Sequence, residues 1–145
     1  MSELMSKKLK DSYENGFDNT PGSKEIFGTW DTYEEDINAG QWLAPVKVAA
    51  YVMHNFNPDV SIGDVACGTG LVAKLLKPAF YTNIDGYDIT VKFLEKAKEH
   101  YNNTVYNDIC EEALPKQYDV VTASGVFAPG HLSAMPSKNI ADSLL

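Results

Sequence analysis

The sequence predicts an α/β protein with a doubly wound, mostly parallel sheet. Short apolar runs alternate with segments of helical periodicity, which is the pattern of strands joined by crossover helices. The run at residues 118–124 is rich in valine without polar alternation, as expected for a parallel strand covered on both faces. A glycine turn follows the first strand candidate, at the place where sheets of this kind bind ligands.

The part of the chain before the first strand is predicted to contain a tail and two helices. Residues 1–24 are polar and carry turn signals, so a flexible N-terminal tail is expected. Between residues 25 and 37, aromatic residues recur at every third position, which places them on one side of a helix. They are Phe27, Trp30 and Tyr33. This helix either packs on the domain or also covers a bound cofactor, with Trp30 and Tyr33 as the candidate contacts.

Helices and strands then alternate. A helix begins at Pro45, a second has its apolar face over residues 71–76, and a third spans residues 91–101. The strand candidates are residues 60–66, 81–87, 104–106 and 118–124. The regular pattern fades beyond the fourth strand. We therefore expect one cofactor domain over residues 25–132, followed by a C-terminal tail over residues 133–145.

The composition argues against several functional classes. A net charge of −8 and the lack of any arginine disfavour a nucleic-acid partner, because polyanion binding needs a basic surface. No apolar run is long enough for a membrane span and no secretory signal is visible, so a cytoplasmic, intracellular protein is expected. Two cysteines and three histidines show no metal-ligand spacing. A small-molecule or protein substrate is favoured.

The most informative stretch is DVACGTG, residues 64–70. Its glycines let the backbone turn tightly and come close to a ligand. The charge of Asp64 beside this turn would repel a pyrophosphate but attract the sulfonium and α-ammonium groups of S-adenosylmethionine. The sequence therefore predicts an S-adenosylmethionine site, formed at this turn by Asp64, Ala66, Gly68, Thr69 and Gly70.

Polar residues at the other strand ends extend this predicted site, because open parallel sheets bind ligands at the carboxyl ends of their strands. Asp88 ends the second strand and can accept hydrogen bonds from both ribose hydroxyls. Asp108 follows the third strand and can accept one from the adenine amino group, with Ile89 and Ile109 providing apolar surface for the ring. The backbone at Ser124 would close the site beneath the methyl donor.

Together these motifs resemble those of class I S-adenosylmethionine-dependent methyltransferases. DVACGTG looks like the first motif of that family and YDIT at residues 87–90 like the second, while NDI at 107–109 and YDVV at 118–121 are similar to the third and fourth. The resemblance covers about residues 25–132. It implies a Rossmann-like sheet with strand order 3-2-1-4 and N-terminal helices, and methyl transfer from S-adenosylmethionine to a small-molecule or protein acceptor.

A narrower resemblance is to the methyltransferase-like proteins of the Williams–Beuren syndrome chromosomal region 27 family. It is carried by WDTYEED at residues 30–36, DVACGTGLVA at 64–73 and SGVFAPGH at 124–131. Members of that family continue through three further strands, which implies that this chain is a C-terminally truncated form. Its fourth strand would then be exposed and open to a partner or to self-association. Gly63 replaces a bulky apolar residue of the family, which predicts looser packing there.

Two alternatives stay open at this point. A truncated, non-catalytic fragment could bind the cofactor and act only through a partner. An NAD-dependent oxidoreductase is less favoured: Gly68-x-Gly70-x-x-Ala73 fits the dinucleotide fingerprint, but the charge of Asp64 opposes it. Methyl transfer depends mainly on positioning, so no catalytic residue is assigned. His131, after the fourth strand, is a candidate substrate contact or base.

Overall fold

Four parallel strands form a single sheet in the computed structural model, which describes residues 31–39, 42–127 and 136–145. They are β1 (Ile62–Val65), β2 (Ile84–Asp88), β3 (Asn103–Tyr106) and β4 (Val120–Ala123). Their order is β3-β2-β1-β4, with all three pairings parallel. The predicted α/β class and the strand order 3-2-1-4 are confirmed. The order reverses between β1 and β4, where sheets of this class place their ligands.

The described helices flank these strands. They are α1 (Tyr33–Ala39), α2 (Ala44–Asn55), α3 (Leu71–Leu76), α4 (Val91–Ala97) and α5 (Ser137–Asp142), with a short 3-10 turn at Lys77–Ala79. Within the predicted aromatic helix, Asp31 and Thr32 form a turn and α1 begins at Tyr33. Phe27 and Trp30 lie outside the described residues. None of the helices in these described ranges has the length and hydrophobicity that crossing a membrane requires.

The described residues form two apolar clusters, one on each face of the sheet. On the first face, the register partners Ile62, Ile84 and Val120 stand side by side and are covered by the apolar residues of α2, α3 and α4. On the second face, Val65 and Tyr87 pack with residues that follow β3 and precede β4. Because side chains of a strand alternate between faces, Asp64 lies on the first face and Gly63 on the second.

Gly63 provides the space into which two large side chains pack. A Cβ atom at this position would lie 2.7 Å from the ring of Tyr118 and 2.9 Å from Leu114. Tyr118 is fully buried as a result. The prediction of looser packing at Gly63 is therefore wrong, because the missing side chain is replaced by an aromatic ring from a distant part of the chain.

Tyr118 also belongs to a polar network on this second face. The Asp85 carboxylate accepts hydrogen bonds from the hydroxyl of Tyr118 at 2.7 Å and from Nδ2 of Asn103 at 2.8 Å, and it pairs with Nζ of Lys116 at 2.5 Å. The Tyr87 and Tyr118 hydroxyls share a further hydrogen bond. Burial alone would raise the pKa of Asp85, but these donors lower it below the usual value. The buried carboxylate is thus ionised and fully partnered.

The C-terminal residues pack against the start of β4. The backbone N–H of Tyr118 donates to the carbonyl of Ser143 at 2.9 Å, and the N–H of Leu145 donates to the carbonyl of Tyr118 at 3.0 Å. The hydroxyl of Ser143 accepts a hydrogen bond from the N–H of Leu114 at 2.9 Å. Within the described residues, β4 pairs with no strand other than β1.

The packing at Gly63 leads to a stability prediction. We expect Gly63→Ala to lower the free energy of unfolding by about 1–3 kcal/mol, because the new methyl group overlaps the Tyr118 ring. Urea unfolding followed by circular dichroism measures this change. The exposed Lys96→Ala is the control and should alter stability by less than about 0.5 kcal/mol. Equal stabilities of Gly63→Ala and wild type would contradict the packing described.

Candidate functional site

A cleft opens at the carboxyl ends of β1 and β4, at the point where the strand order reverses. It contains about 360 Å³ of empty space, part of which is open to solvent. Six of the residues predicted from the sequence line it: Tyr33, Asp64, Ala66, Gly68, Thr69 and Ser124. The structure thus brings together residues from α1, the turn after β1 and the end of β4.

The turn between β1 and α3 forms the floor of this cleft and has an unusual backbone. Gly68 and Gly70 have φ angles of 55° and 94°, in the left-handed region that glycine adopts without steric cost. Ala66 has a φ of 51°, which is uncommon for a residue with a side chain and typical of strained turns at binding sites. The Tyr33 hydroxyl lies 3.8 Å from the place of a Gly68 Cβ atom. The Tyr33 ring packs on Phe93 of α4, which holds α1 over the turn.

Asp64 is the buried charged group of the cleft, with a side chain that is 1% exposed. Its Oδ1 accepts a hydrogen bond from Oγ1 of Thr122 at 2.7 Å, and its Oδ2 accepts one from the hydroxyl of Tyr101 at 2.6 Å. Burial raises the pKa of Asp64 from 3.8 to about 6, although both hydrogen bonds oppose this rise. The carboxylate is therefore mostly ionised at neutral pH.

Asp88 fastens the glycine turn to the start of α4. Its Oδ2 accepts a hydrogen bond from the Gly68 N–H at 2.9 Å, and its Oδ1 accepts one from the Thr90 N–H at 2.8 Å. Burial raises its pKa, against the effect of these donors. The side chain does not line the cleft, and the Thr90 hydroxyl and the Ile89 N–H are further hydrogen-bond donors to it.

The predicted residues after β2 and β3 also lie outside the cleft lining. Ile89 is half-buried, and Ile109 is buried in the apolar cluster of the second sheet face. Asp108 is partly exposed, and its Oδ1 accepts a hydrogen bond from the Cys110 N–H at 3.2 Å. Gly70 immediately precedes α3 and faces His100 and Tyr101 rather than the cleft. The candidates Trp30 and His131 fall outside the described residues.

Five lining residues were not predicted as cofactor contacts: Trp42, Pro45, Cys67, Leu71 and Val72. A Cβ atom at Gly125, which has a φ of 73°, would lie 2.9 Å from the Trp42 ring, so the ring reaches the cleft by packing on this glycine. In the sequence, Trp42 stands three residues before Pro45, and this position does not indicate which residue its ring contacts.

Burial raises the pKa of the Cys67 thiol well above its usual value, so Cys67 stays protonated.

Two buried hydroxyl groups in the cleft lining are unsatisfied. The Oγ1 atom of Thr69 and the Oγ atom of Ser124 have no hydrogen-bond partner within the described residues. Because buried polar atoms are nearly always paired in folded proteins, each would gain a partner from a polar ligand in the cleft. No lysine is among the lining residues, and the described ranges contain no cluster of acidic, histidine or cysteine residues that could hold a metal ion.

A family comparison extends this description. Residues 62–141, more than half of the chain, match a family described as methyltransferase domain. The chain belongs to the methyltransferase domain family. The match begins with β1, includes the glycine turn and the other strands, and reaches into α5. A comparison with curated protein sequences gives no match.

Solved methyltransferase structures have the same fold. The chain is similar to a TehB-like S-adenosylmethionine-dependent methyltransferase from Corynebacterium glutamicum, with a TM-score of 0.61, 18% identity and coverage of 86% of this chain and 68% of that one. It is also similar to CalS10, an amino pentose methyltransferase from Micromonospora echinaspora, with a TM-score of 0.59, 19% identity and coverage of 79% and 50%. At such identities the likeness concerns the fold, and the predicted class I methyltransferase fold is confirmed.

Other similar structures are considerably longer than this chain. A methyltransferase from Thiobacillus denitrificans, solved with S-adenosylhomocysteine, matches with a TM-score of 0.53 and 16% identity over 68% of this chain. The chain spans 44% of the length of that protein, and also 44% of the length of YjhP from Escherichia coli.

The raised pKa of Asp64 predicts how stability depends on pH. Between about pH 4 and pH 6 the folded protein keeps a proton that the unfolded chain has released, so the free energy of unfolding falls as the pH rises. Asp64→Asn lacks this contribution. We expect the stability of the variant relative to wild type to increase by about 2 kcal/mol between about pH 4 and about pH 7. Urea unfolding of both proteins at a series of pH values measures the difference, and a difference independent of pH would refute the raised pKa.

Proposed function

We propose that this domain binds S-adenosylmethionine in the cleft and presents its methyl group to a small-molecule or protein acceptor. The observation that carries the proposal is the buried Asp64 carboxylate beside the glycine turn, in a cleft where none of the described lining residues is a lysine. A buried carboxylate is costly unless a positive charge or hydrogen-bond donors compensate it. The α-ammonium and sulfonium groups of S-adenosylmethionine would supply the positive charge.

The unsatisfied hydroxyls support the same ligand. Thr69 and Ser124 lie on either side of the reversal point, one in the turn after β1 and one after β4. Their Oγ atoms would hydrogen-bond the polar groups of the methionine part. The bend at Gly68 lets the backbone approach the ligand closely.

The remaining predicted contacts stay part of the proposal. Asp88 would accept hydrogen bonds from the ribose hydroxyls, and Asp108 would accept one from the adenine amino group. Ile89 and Ile109 would provide apolar surface for the ring. Tyr33 and Trp30 would cover the bound cofactor. The narrower resemblance to the Williams–Beuren methyltransferase-like proteins rests on residues 30–36, 64–73 and 124–131.

The chemistry needs little more than orientation from this chain. When bound, S-adenosylmethionine supplies a methyl group on a sulfonium centre that is open to in-line displacement. Asp64, Thr69 and Ser124 would orient the donor, and the apolar residues Leu71 and Val72 would keep water from the site. His131 is the proposed contact for the acceptor.

A dinucleotide is a weaker candidate for the same cleft. Its pyrophosphate would lie beside the Asp64 carboxylate, with no lysine among the lining residues to offset the repulsion. Isothermal titration with S-adenosylmethionine, S-adenosylhomocysteine and NADH separates the two. We expect both adenosyl ligands to bind and NADH not to bind. Binding of NADH alone would overturn the proposal. If the chain binds S-adenosylmethionine but methylates no acceptor, its role is cofactor binding only.

Thr69→Val tests the role of the unsatisfied hydroxyl. Removing a buried hydroxyl that lacks a partner should raise the stability of the free protein by about 1 kcal/mol, while affinity for S-adenosylhomocysteine falls about 2- to 10-fold. Thermal unfolding and isothermal titration measure the two effects. Thr104→Val, on β3 and away from the cleft, is the matched control for affinity. Unchanged affinity in Thr69→Val would remove this hydroxyl from the site.

A further inference from the structure

Two hydroxyl groups outside the cleft lining hold the Asp64 carboxylate. Tyr101 donates to one carboxylate oxygen at 2.6 Å and Thr122 to the other at 2.7 Å, and both donors are buried. Thr122 is the register partner of Asp64 on β4. Tyr101 comes from the connection between α4 and β3, which is 37 residues further along the chain.

Tyr101 reaches Asp64 because two glycines leave room for its ring. Gly86 is the register partner of Asp64 on β2, and a Cβ atom there would lie 2.9 Å from the ring of Tyr101. A Cβ atom at Gly70, at the start of α3, would lie 3.1 Å from the same ring. The distance at Gly86 is too short for any side chain, so the ring requires glycine there. At Gly70, whose φ of 94° itself favours glycine, an added Cβ atom would crowd the ring.

We infer that Tyr101 is a positioning residue for cofactor binding: its hydroxyl keeps the Asp64 carboxylate charged and oriented toward the cationic part of the ligand. The inference rests on the proposed function, since it assigns Asp64 to a cationic ligand. Tyr101 does not line the cleft and acts through Asp64. Hydrogen bonds to a carboxylate favour its ionised form, so loss of this donor makes the charge harder to keep in a buried site.

Burial makes the charge of Asp64 sensitive to pH near neutrality, and its hydrogen-bond donors moderate this effect. The titratable groups that face it are Tyr101, Cys67 in the turn after β1, and Asp88 at the end of β2. Burial raises the pKa of both Tyr101 and Cys67 well above their usual values, so these two stay neutral. Asp64, with a pKa of about 6, therefore changes charge within the range in which binding can be measured. Affinity for a ligand that places an ammonium group beside Asp64 should rise with pH through this range.

Tyr101→Phe tests the inference, because it removes the hydroxyl and keeps the ring. Isothermal titration with S-adenosylhomocysteine between about pH 5 and about pH 8 gives the midpoint at which affinity rises. We expect the variant to shift this midpoint upward by about 1 pH unit, the effect of losing one donor to a charged group. Tyr118→Phe is the matched control: it removes an equally buried hydroxyl bonded to Asp85 on the opposite face. Its midpoint should equal that of wild type.

A ligand without an ammonium group separates the effect of the Asp64 charge from a general structural change in the variant. 5′-Methylthioadenosine lacks the amino-acid part, so its affinity should be the same for wild type and Tyr101→Phe at every pH. If Tyr101→Phe lowers the affinity for both ligands equally, the inference is overturned and Tyr101 has a purely structural role. Equal midpoints for wild type and Tyr101→Phe with S-adenosylhomocysteine would also overturn it.

The second donor provides a test that does not depend on the folding of Tyr101→Phe. Thr122→Val should also raise the midpoint, whereas Thr122→Ser keeps a hydroxyl and should restore the wild-type value. Midpoints equal to wild type in both Thr122 variants would overturn the role given to these donors. If wild type binds no S-adenosylhomocysteine at any pH, the proposed function itself fails. That result is distinct from binding without a shift.

Discussion

Burial of the Asp64 carboxylate at the carboxyl end of β1 is the constraint on which the rest of this fold depends. A charge in such a place needs donors from its surroundings, and these come from β4 and from the segment before β3. The same requirement determines which residue can lie next to Asp64, since only glycine at position 86 leaves space for the ring of Tyr101. The Asp64 side chain is therefore bonded to the neighbouring strand β4 and also lines the cleft beside the glycine turn.

Each face of the sheet contains a buried carboxylate, and the two carboxylates are stabilised in different ways. On the first face, the Asp64 carboxylate lines an open cleft and keeps the capacity to meet a ligand. On the second, the Asp85 carboxylate is paired with Lys116 and held by Tyr118, which also bonds the backbone near Ser143. The first arrangement is suited to binding and the second to anchoring the C-terminal residues.

The sequence predicts the fold and the centre of the site because both depend on local features. Strands and helices follow from hydrophobic periodicity, and Asp64, Gly68 and Thr69 follow from their place at a strand end beside a glycine turn. Trp42 and Tyr101 could not be predicted in the same way. Each acts through a contact with a distant residue, and no local pattern reveals that partner. The packing at Gly63 cannot be predicted for the same reason, because the Tyr118 ring that fills its space lies far along the chain.

The paired glycine and tyrosine residues have a consequence for related sequences. In each of two pairs, a glycine on a strand leaves space that a tyrosine ring fills. Gly63 and Tyr118 form the pair on the second face of the sheet, and Gly86 and Tyr101 form the pair on the first. A change to one member alone would either open a void or create a clash. These positions should consequently covary: where a homologue carries a larger residue in the strand, a smaller one is expected at the aromatic position, and such compensation would mark which homologues preserve this architecture.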